Sequence, residues 1–228
     1  MKKLIILCIL FAGCYPALRA QELTIEYNFG YGTFCMKELK DYLSDLTPEF
    51  NTGSGYEYTL KNVRITDNFP GHWIHQAKVG IEITKVHQVG LSLDFMNTAG
   101  QKAVSDYSGY YYLKFRTKGL RLGGFYRYTP PAWSTGVVRP YLMLTAGTVF
   151  NDGQVEEALE IYDLDKYGED LSMDGVNFFV EPAIGCKVRL HESFALNLNA
   201  GYQFDLTKRF EYKGEKADIA PTWSGLRV

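Results

Sequence analysis

The stretch VNFFVEPAIGCKVRLHESFALNLNAGYQFD, residues 176–205, decides how this chain is read. Its even positions are Val176, Phe178, Val180, Pro182, Ile184, Cys186 and Val188. Between them lie Asn177, Phe179, Glu181, Ala183, Gly185, Lys187 and Arg189. After a break at Leu190–Ser193, Phe194, Leu196, Leu198, Ala200, Tyr202 and Phe204 take one parity, and Ala195, Asn197, Asn199, Gly201, Gln203 and Asp205 the other. Period-two alternation puts each set on one face of a strand, and two strands joined by about four residues make an antiparallel hairpin. The apolar face carries no charge, whereas a soluble sandwich usually exposes charge on its outer face. Apolar outside and polar inside is the pattern of a transmembrane β-barrel strand, for which ~9–11 tilted residues suffice.

Working outward, the same alternation recurs. Leu23–Phe34 is a first strand, His75–Thr84 a second, and the run from Val89 through Phe95 a third. Tyr110–Tyr128 is a fourth, Arg139–Phe150 a fifth, and Thr222–Val228 begins an eighth after the opening hairpin. In the fourth, Tyr111, Leu113 and Phe115 are apolar on odd positions, but Leu120, Leu122, Tyr126 and Tyr128 on even ones. A parity switch needs one extra residue, which predicts a β-bulge at Thr117–Gly119. Met36–Leu46 changes period, with Met36, Leu39, Leu43 and Leu46 on one face, and reads as a short amphipathic helix in the first external loop, packed on the rim. The fold expected is all-β: an eight-stranded antiparallel up-and-down transmembrane barrel. Connections 35–72, 97–109, 151–174 and 206–221 are mostly long, and 85–88, 129–138 and 190–193 mostly short. Long external loops and short periplasmic turns produce that asymmetry and place both termini in the periplasm.

Residues 1–20 are expected to be a signal peptide, with Lys2 and Lys3 before the apolar run Leu4–Ala12 and cleavage after Ala20. The competing outcome is lipidation at Cys14, because Phe11-Ala12-Gly13-Cys14 approximates a lipobox. Residues 21–228 read as one domain, with no linker or repeat. Cleavage removes Lys2, Lys3 and Arg19 and leaves 21 bases against 26 acids. A net charge of about −5 disfavours a nucleic-acid partner. Cys35 and Cys186 are expected at opposite ends of the barrel, too far apart to bridge.

Gly30-Tyr31-Gly32-Thr33-Phe34 followed by the Met36–Leu43 helix, Thr66-Asp67-Asn68-Phe69-Pro70, and Asp106-Tyr107-Ser108-Gly109-Tyr110 resemble the small porin-like outer-membrane barrels of Bacteroidota-type bacteria. The resemblance covers almost all of the mature chain and implies an OmpA/OmpX-like barrel in the outer membrane of a Gram-negative cell. It implies no catalytic residue. One departure is the ending Trp223-Ser224-Gly225-Leu226-Arg227-Val228, which barely fills a strand and has no terminal aromatic residue. The last strand is therefore expected to be short or truncated.

An eight-stranded barrel holds little beyond its own side chains. Inward positions include Glu26, Glu82, Asp94, Glu181 and Asp205 against Lys78, Arg121, Arg127, Lys187 and Arg189, and five acids facing five bases suggest a mutually neutralising plug. His72 and His75 lack the glutamate of a His-Glu-x-x-His zinc site, and Gly30-Tyr31-Gly32 lacks the third glycine of a phosphate loop. The stretch 151–174 carries nine acids and reads as a long acidic loop. Within it Asp163, Asp165, Glu169, Asp170 and Asp174 form a defective calcium-loop pattern, spoiled by Tyr167 and by Asp in place of Glu at the twelfth position. The function expected is a structural or surface-interaction barrel with a filled lumen, neither enzyme nor cofactor-dependent. A lipid-modifying enzyme of the same fold and a narrow solute channel are the alternatives. Expected partners are outer-membrane lipid, lipopolysaccharide, the insertion machinery and an external-loop ligand, with the chain itself a monomer.

Overall fold

A computed structural model describes residues 22–52, 64–106, 109–133, 136–161, 167–191, 193–207, 210–212, 215–216 and 219–228. The expected signal peptide lies outside them. In chain order the elements are β1 (Glu22–Gly32), α1 (Lys37–Thr52), β2 (Arg64–Asn68), β3 (His72–Thr84), β4 (His87–Asp106) and β5 (Gly109–Tyr128). There follow β6 (Val138–Ile161), β7 (Tyr167–Arg189), β8 (Ala195–Asp205), β9 (Glu211–Tyr212), β10 (Glu215–Lys216) and β11 (Gly225–Arg227). The fold is all-β, as expected: eight antiparallel strands form one ring-like sheet, accompanied by one helix. Pairing runs from β1 through β3, β4, β5, β6 and β7 to β8, and β11 joins β8 back to β1. The short strands β2 and β9 lie outside the ring on β4 and β7, and β10 pairs with β9.

Four of the strands are much longer than the others. β4 to β7 have 20, 20, 24 and 23 residues, against 11 in β1 and β8. Their upper halves rise beyond the ring as a four-stranded extension. This overturns two expectations, because the described residues of the loops assigned to 97–109 and 151–174 lie in paired strands. Asp106 pairs with Gly109, and Asp152 through Leu159 pair with Asp174 through Tyr167. Two of the acids that suggested a solvated loop lie opposite bases on β5, Asp152 facing Lys118 and Glu156 facing Lys114, while toward β7 Asp152 faces Asp174, Glu156 faces Asp170 and Glu157 faces Glu169. Arg116 also comes within 3.8 Å of Glu156. Complementarity toward β5 offsets part of the like-charge repulsion toward β7, so an acidic strand forms where the sequence suggested an acidic loop.

The bulge at Thr117–Gly119 is also overturned. Thr117, Lys118 and Gly119 pair without interruption with Thr98, Asn97 and Met96 on one side and with Gly153, Asp152 and Asn151 on the other. Odd residues of β5 face inward along its whole length. What changes near residue 118 is the surroundings. Below it the apolar residues Leu120, Leu122 and Tyr126 point out of the ring. Above it Tyr111, Leu113 and Phe115 point inward into an apolar core. The register shifts that do occur lie between Ile65 and Asp67 and between Glu82 and Thr84.

That core caps the ring. Helix α1 contributes Met36 (at its start), Leu39 and Leu43, all fully buried, and packs against β2 and β4. Phe34, Phe69, Met96, Phe115, Phe210 and Trp223 complete it. Gly100 is required by this approach, since a Cβ there would collide with Leu43 and Phe69. Met36 and Phe69 adopt positive φ (44° and 47°), a strained conformation for non-glycine residues that the packing holds in place. Glu38 accepts a hydrogen bond from the Ala220 amide at 2.9 Å, tying the helix to the C-terminal segment.

Leu39→Ala removes a fully buried side chain and should cost ~2–5 kcal/mol of the cap's stability. The expected result is protease cutting within α1 while the ring stays resistant to unfolding in SDS. Simultaneous loss of both would mean that cap and ring are one cooperative unit.

Candidate functional site

The ring's interior below the cap holds the one concentration of buried charge among the described residues. Arg121, from the middle of β5, is 1% exposed. It bonds Asp94 of β4 through Nε and Glu181 of β7 through a terminal nitrogen, and donates to Gln203 Oε1 at 3.0 Å. Its guanidinium lies 4.6 Å from the Phe179 ring centroid. Arg127, six residues lower on the same strand, makes a bidentate pair with Glu26 of β1 at 2.6 and 2.8 Å. It also donates to Gln88 at 2.9 Å and lies 4.3 Å from the Tyr141 ring centroid. Planar forks of this kind suit arginine, which can satisfy several acceptors at once.

Seven of the ten predicted interior residues are thus assembled into ion pairs: Arg121 with Asp94 and Glu181, Arg127 with Glu26, and Lys187 with Glu82 at 3.5 Å near the lower opening. The other three differ. Asp205 accepts the Gln203 amide at 2.7 Å and the Trp223 backbone N–H at 2.6 Å, with no base at ion-pair distance among the described residues. Lys78 is buried with Nζ 3.5 Å from Met143 Sδ and 5.8 Å from the Phe125 centroid, and forms no ion pair among the described residues. Arg189 stands exposed at the lower rim and forms no ion pair among the described residues. Four buried or half-buried carboxylates (Glu26, Asp94, Glu181, Asp205) therefore balance four cations (Lys78, Arg121, Arg127, Arg227).

Arg227 is the member that the sequence reading missed. It donates to Gln203 at 2.6 Å and to the Trp223 carbonyl at 3.2 Å, and its Nε is 3.5 Å from Glu181. Its signal was present: with Leu226 and Val228 outward, parity sends Arg227 inward. Trp223 was missed too. It is fully buried at the boundary between charge and cap, donating from Nε1 to Asn151 at 2.6 Å and meeting Phe34 edge-on at 4.9 Å.

The residues of the suggested cation loop are not brought together as a loop. Glu169, Asp170 and Asp174 belong to β7, and Asp163 and Asp165 lie outside the described residues. The histidines are engaged with neighbours: His75 Nδ1 is 2.7 Å from the Tyr27 hydroxyl, and His87 Nδ1 is 2.7 Å from that of Tyr126. Gly30 and Gly32 lie inside β1, opposite Ile74 and His72. Cys35 and Cys186 are free thiols. In the extension, burial and then the adjacent Glu157 carboxylate push the Tyr111 hydroxyl above the ordinary phenol range, where it remains a donor to Glu157 at 3.2 Å.

The chain matches no protein-family model, no curated protein and no solved structure. What the interior can do follows from its own geometry: neutralise itself, and obstruct passage through the ring.

Arg121→Ala leaves Asp94 and Glu181 buried without their partner and should cost ~3–5 kcal/mol. Combining Arg121→Met with Asp94→Asn and Glu181→Gln should recover most of that loss. The check is the denaturation midpoint of each variant; equal midpoints for wild type and Arg121→Ala would remove the cluster's structural role.

Proposed function

We propose that this chain is an outer-membrane β-barrel of a Gram-negative envelope, with a plugged lumen and a structural or surface-interaction role carried by its extension. The observation that supports this most directly is a double reversal of polarity at one level. Below residue ~119 of β5, large apolar side chains point outward on every long strand, including Leu23 and Ile25 of β1, Leu91 and Leu93 of β4, and Leu142 and Leu144 of β6. Above that level the outer face is Lys114, Arg116, Lys118, Asp152, Gln154 and Glu156, and the apolar residues turn inward.

Water on all sides gives no reason for the lower belt to be apolar and uncharged; lipid does. On β1 the outward apolar residues run from Leu23 to Tyr31. Nine residues at ~3.3 Å each, tilted ~40°, span about 23 Å, close to the ~25 Å apolar band of such barrels. Aromatic residues border the belt: Phe29, Tyr31 and Trp73 cluster at its upper edge, with Phe29 and Trp73 stacked at 4.7 Å, and Tyr126 and Tyr128 stand with His87 lower down. Interfacial belts of Trp and Tyr mark the headgroup level. The extension then stands in water on one side of the bilayer, where a mixed-charge sheet suits contact with lipopolysaccharide or another surface molecule. The arginine clusters and the apolar cap fill the path of a solute, which favours this reading over a channel.

Leu122→Arg and Leu144→Arg each put a charge on the belt at ~2–4 kcal/mol near the midplane. Both should impair insertion into lipid vesicles, scored by the folded, faster-migrating band in unheated SDS gels, while Gln154→Arg on the extension should insert normally. Equal insertion of all three, or a monomeric chain in detergent-free buffer, would defeat the membrane assignment. In planar bilayers the wild type should show no conductance steps.

A further inference from the structure

The lower mouth of the ring carries more positive charge than the acids around it match. Four cations converge there: Arg127 of β5, Arg139 of β6, Lys187 of β7 and Lys85 of the turn between β3 and β4. Glu26 holds Arg127 at 2.6 and 2.8 Å, and Glu82 lies 3.5 Å from Lys187. Arg139 and Lys85 form no ion pair among the described residues. Register sharpens the imbalance, because Arg139 sits directly opposite Lys187 on the neighbouring strand. Both belong to the inward parity of their strands, shared with the buried Tyr141 and Glu181. Like charges facing each other across a ladder destabilise it.

These four cations line a cavity of about 20 Å³, together with Glu82 and Tyr141. Its walls come from β3 to β7 and their connections, the strands farthest from both ends of the chain. Two of the lining arginines have an Nε that is buried without a hydrogen-bond partner, Arg127 and Arg139. Arg127 is 3% exposed, and its terminal nitrogens are committed to Glu26 and Gln88. A buried N–H left unmade is costly, and more so on a charged group.

We propose that this cavity is a binding site for one small monovalent anion of the chloride class, held by Arg127 and Arg139 within the field of Lys187 and Lys85. Its size fixes the first limit. A cavity of this volume takes about one water-sized particle, which admits a halide and turns away phosphate, sulfate or an organic acid. Charge fixes the second. A water could accept both N–H groups, but it would leave Arg139 opposite Lys187 with their repulsion intact, whereas an anion answers both.

The donors favour the heavier halides. A guanidinium is weakly hydrated and suits an ion that sheds its own water readily, which puts chloride and bromide ahead of fluoride. One anion is enough, because Lys85 is exposed in its turn and keeps its contact with water. The site links β5, β6 and β7 at the level where the β5–β6 connection leaves the sheet, so its effect is on stability. The inference concerns the mouth of the ring and holds whether or not the outer face meets lipid.

The test follows thermal unfolding of the full chain in detergent micelles as sodium gluconate is replaced by sodium chloride or bromide at constant ionic strength. Gluconate is too large for the cavity, and general screening is the same in all three salts. The midpoint should rise with halide, by a constant increment for each about tenfold step beyond half-filling. Arg139→Gln should abolish that rise, and in gluconate it should be at least as stable as the wild type, since the like-charge pair is gone. Arg116→Gln, on the outer face of the extension, should keep the full rise. Crystals grown in bromide should show an anomalous diffraction peak touching Arg127 and Arg139, a readout that stands even where Arg139→Gln does not fold. Equal midpoints in halide and gluconate, an undiminished halide response in Arg139→Gln, or no bromide at these two arginines would each overturn the proposal.

Discussion

Backbone N–H and C=O groups need partners, and at its upper level the ring supplies them by joining β1 to β8 through β11. The closing contact joins residues almost two hundred positions apart. Backbone bonds link Tyr31 with Val228, Thr33 with Leu226, Cys35 with Ser224 and Met36 with Thr222, all between 2.7 and 2.9 Å. The Leu226 amide adds a bond to the Thr33 hydroxyl at 2.9 Å. Local contacts cannot substitute for these. The interior charges reinforce them, since Arg227 on the closing strand reaches Glu181 and Gln203 on β7 and β8, while Glu26 on β1 is gripped by Arg127 of β5.

That closure creates a narrow interior in which desolvation decides what is allowed. A single buried ion costs several kcal/mol, and good geometry with several partners is needed to offset it. Arg121 and Arg127 satisfy this by using carboxylates, amides and aromatic faces together. Lys78 does not, and its surroundings of Met143 and Phe125 are those of a cation kept by the net field of neighbouring acids, not by a single contact. Above the arginines the interior becomes largely apolar and the helix fills it, although Lys102 of β4 is fully buried there. Trp223 belongs to both regions: its ring packs in the cap, while its backbone N–H and carbonyl bond Asp205 and Arg227 below.

The alternation of single strands was legible in the sequence, and with it the number of ring strands, their outward faces, the amphipathic helix and most of the interior ions. Two things were not. A period-two pattern reports which faces differ, and its apolar side is an outward belt below one level and a protein core above it. Tyr111, Leu113 and Phe115 therefore looked like a slipped register, although the register is continuous. Charge was also ambiguous: nine acids in one segment repel when considered alone. Only pairing shows Lys114, Arg116 and Lys118 on the adjacent strand. Trp223 escaped because it precedes the short terminal strand, whereas Arg227 was legible from the parity of Leu226 and Val228.

The two reversals also explain why the extension stays upright. Each of its strands continues directly from the ring without a bulge, so the three ladders between them carry their register from the belt into the region above it. The inward side is held by the cap core and the outward side by cross-strand charge. A free hairpin would gain little from either, since two strands alone are marginal in water. Four strands sharing one packed face with a helix are not marginal. A surface presented this way keeps its side chains in fixed relative positions, which a flexible loop of the same composition could not do.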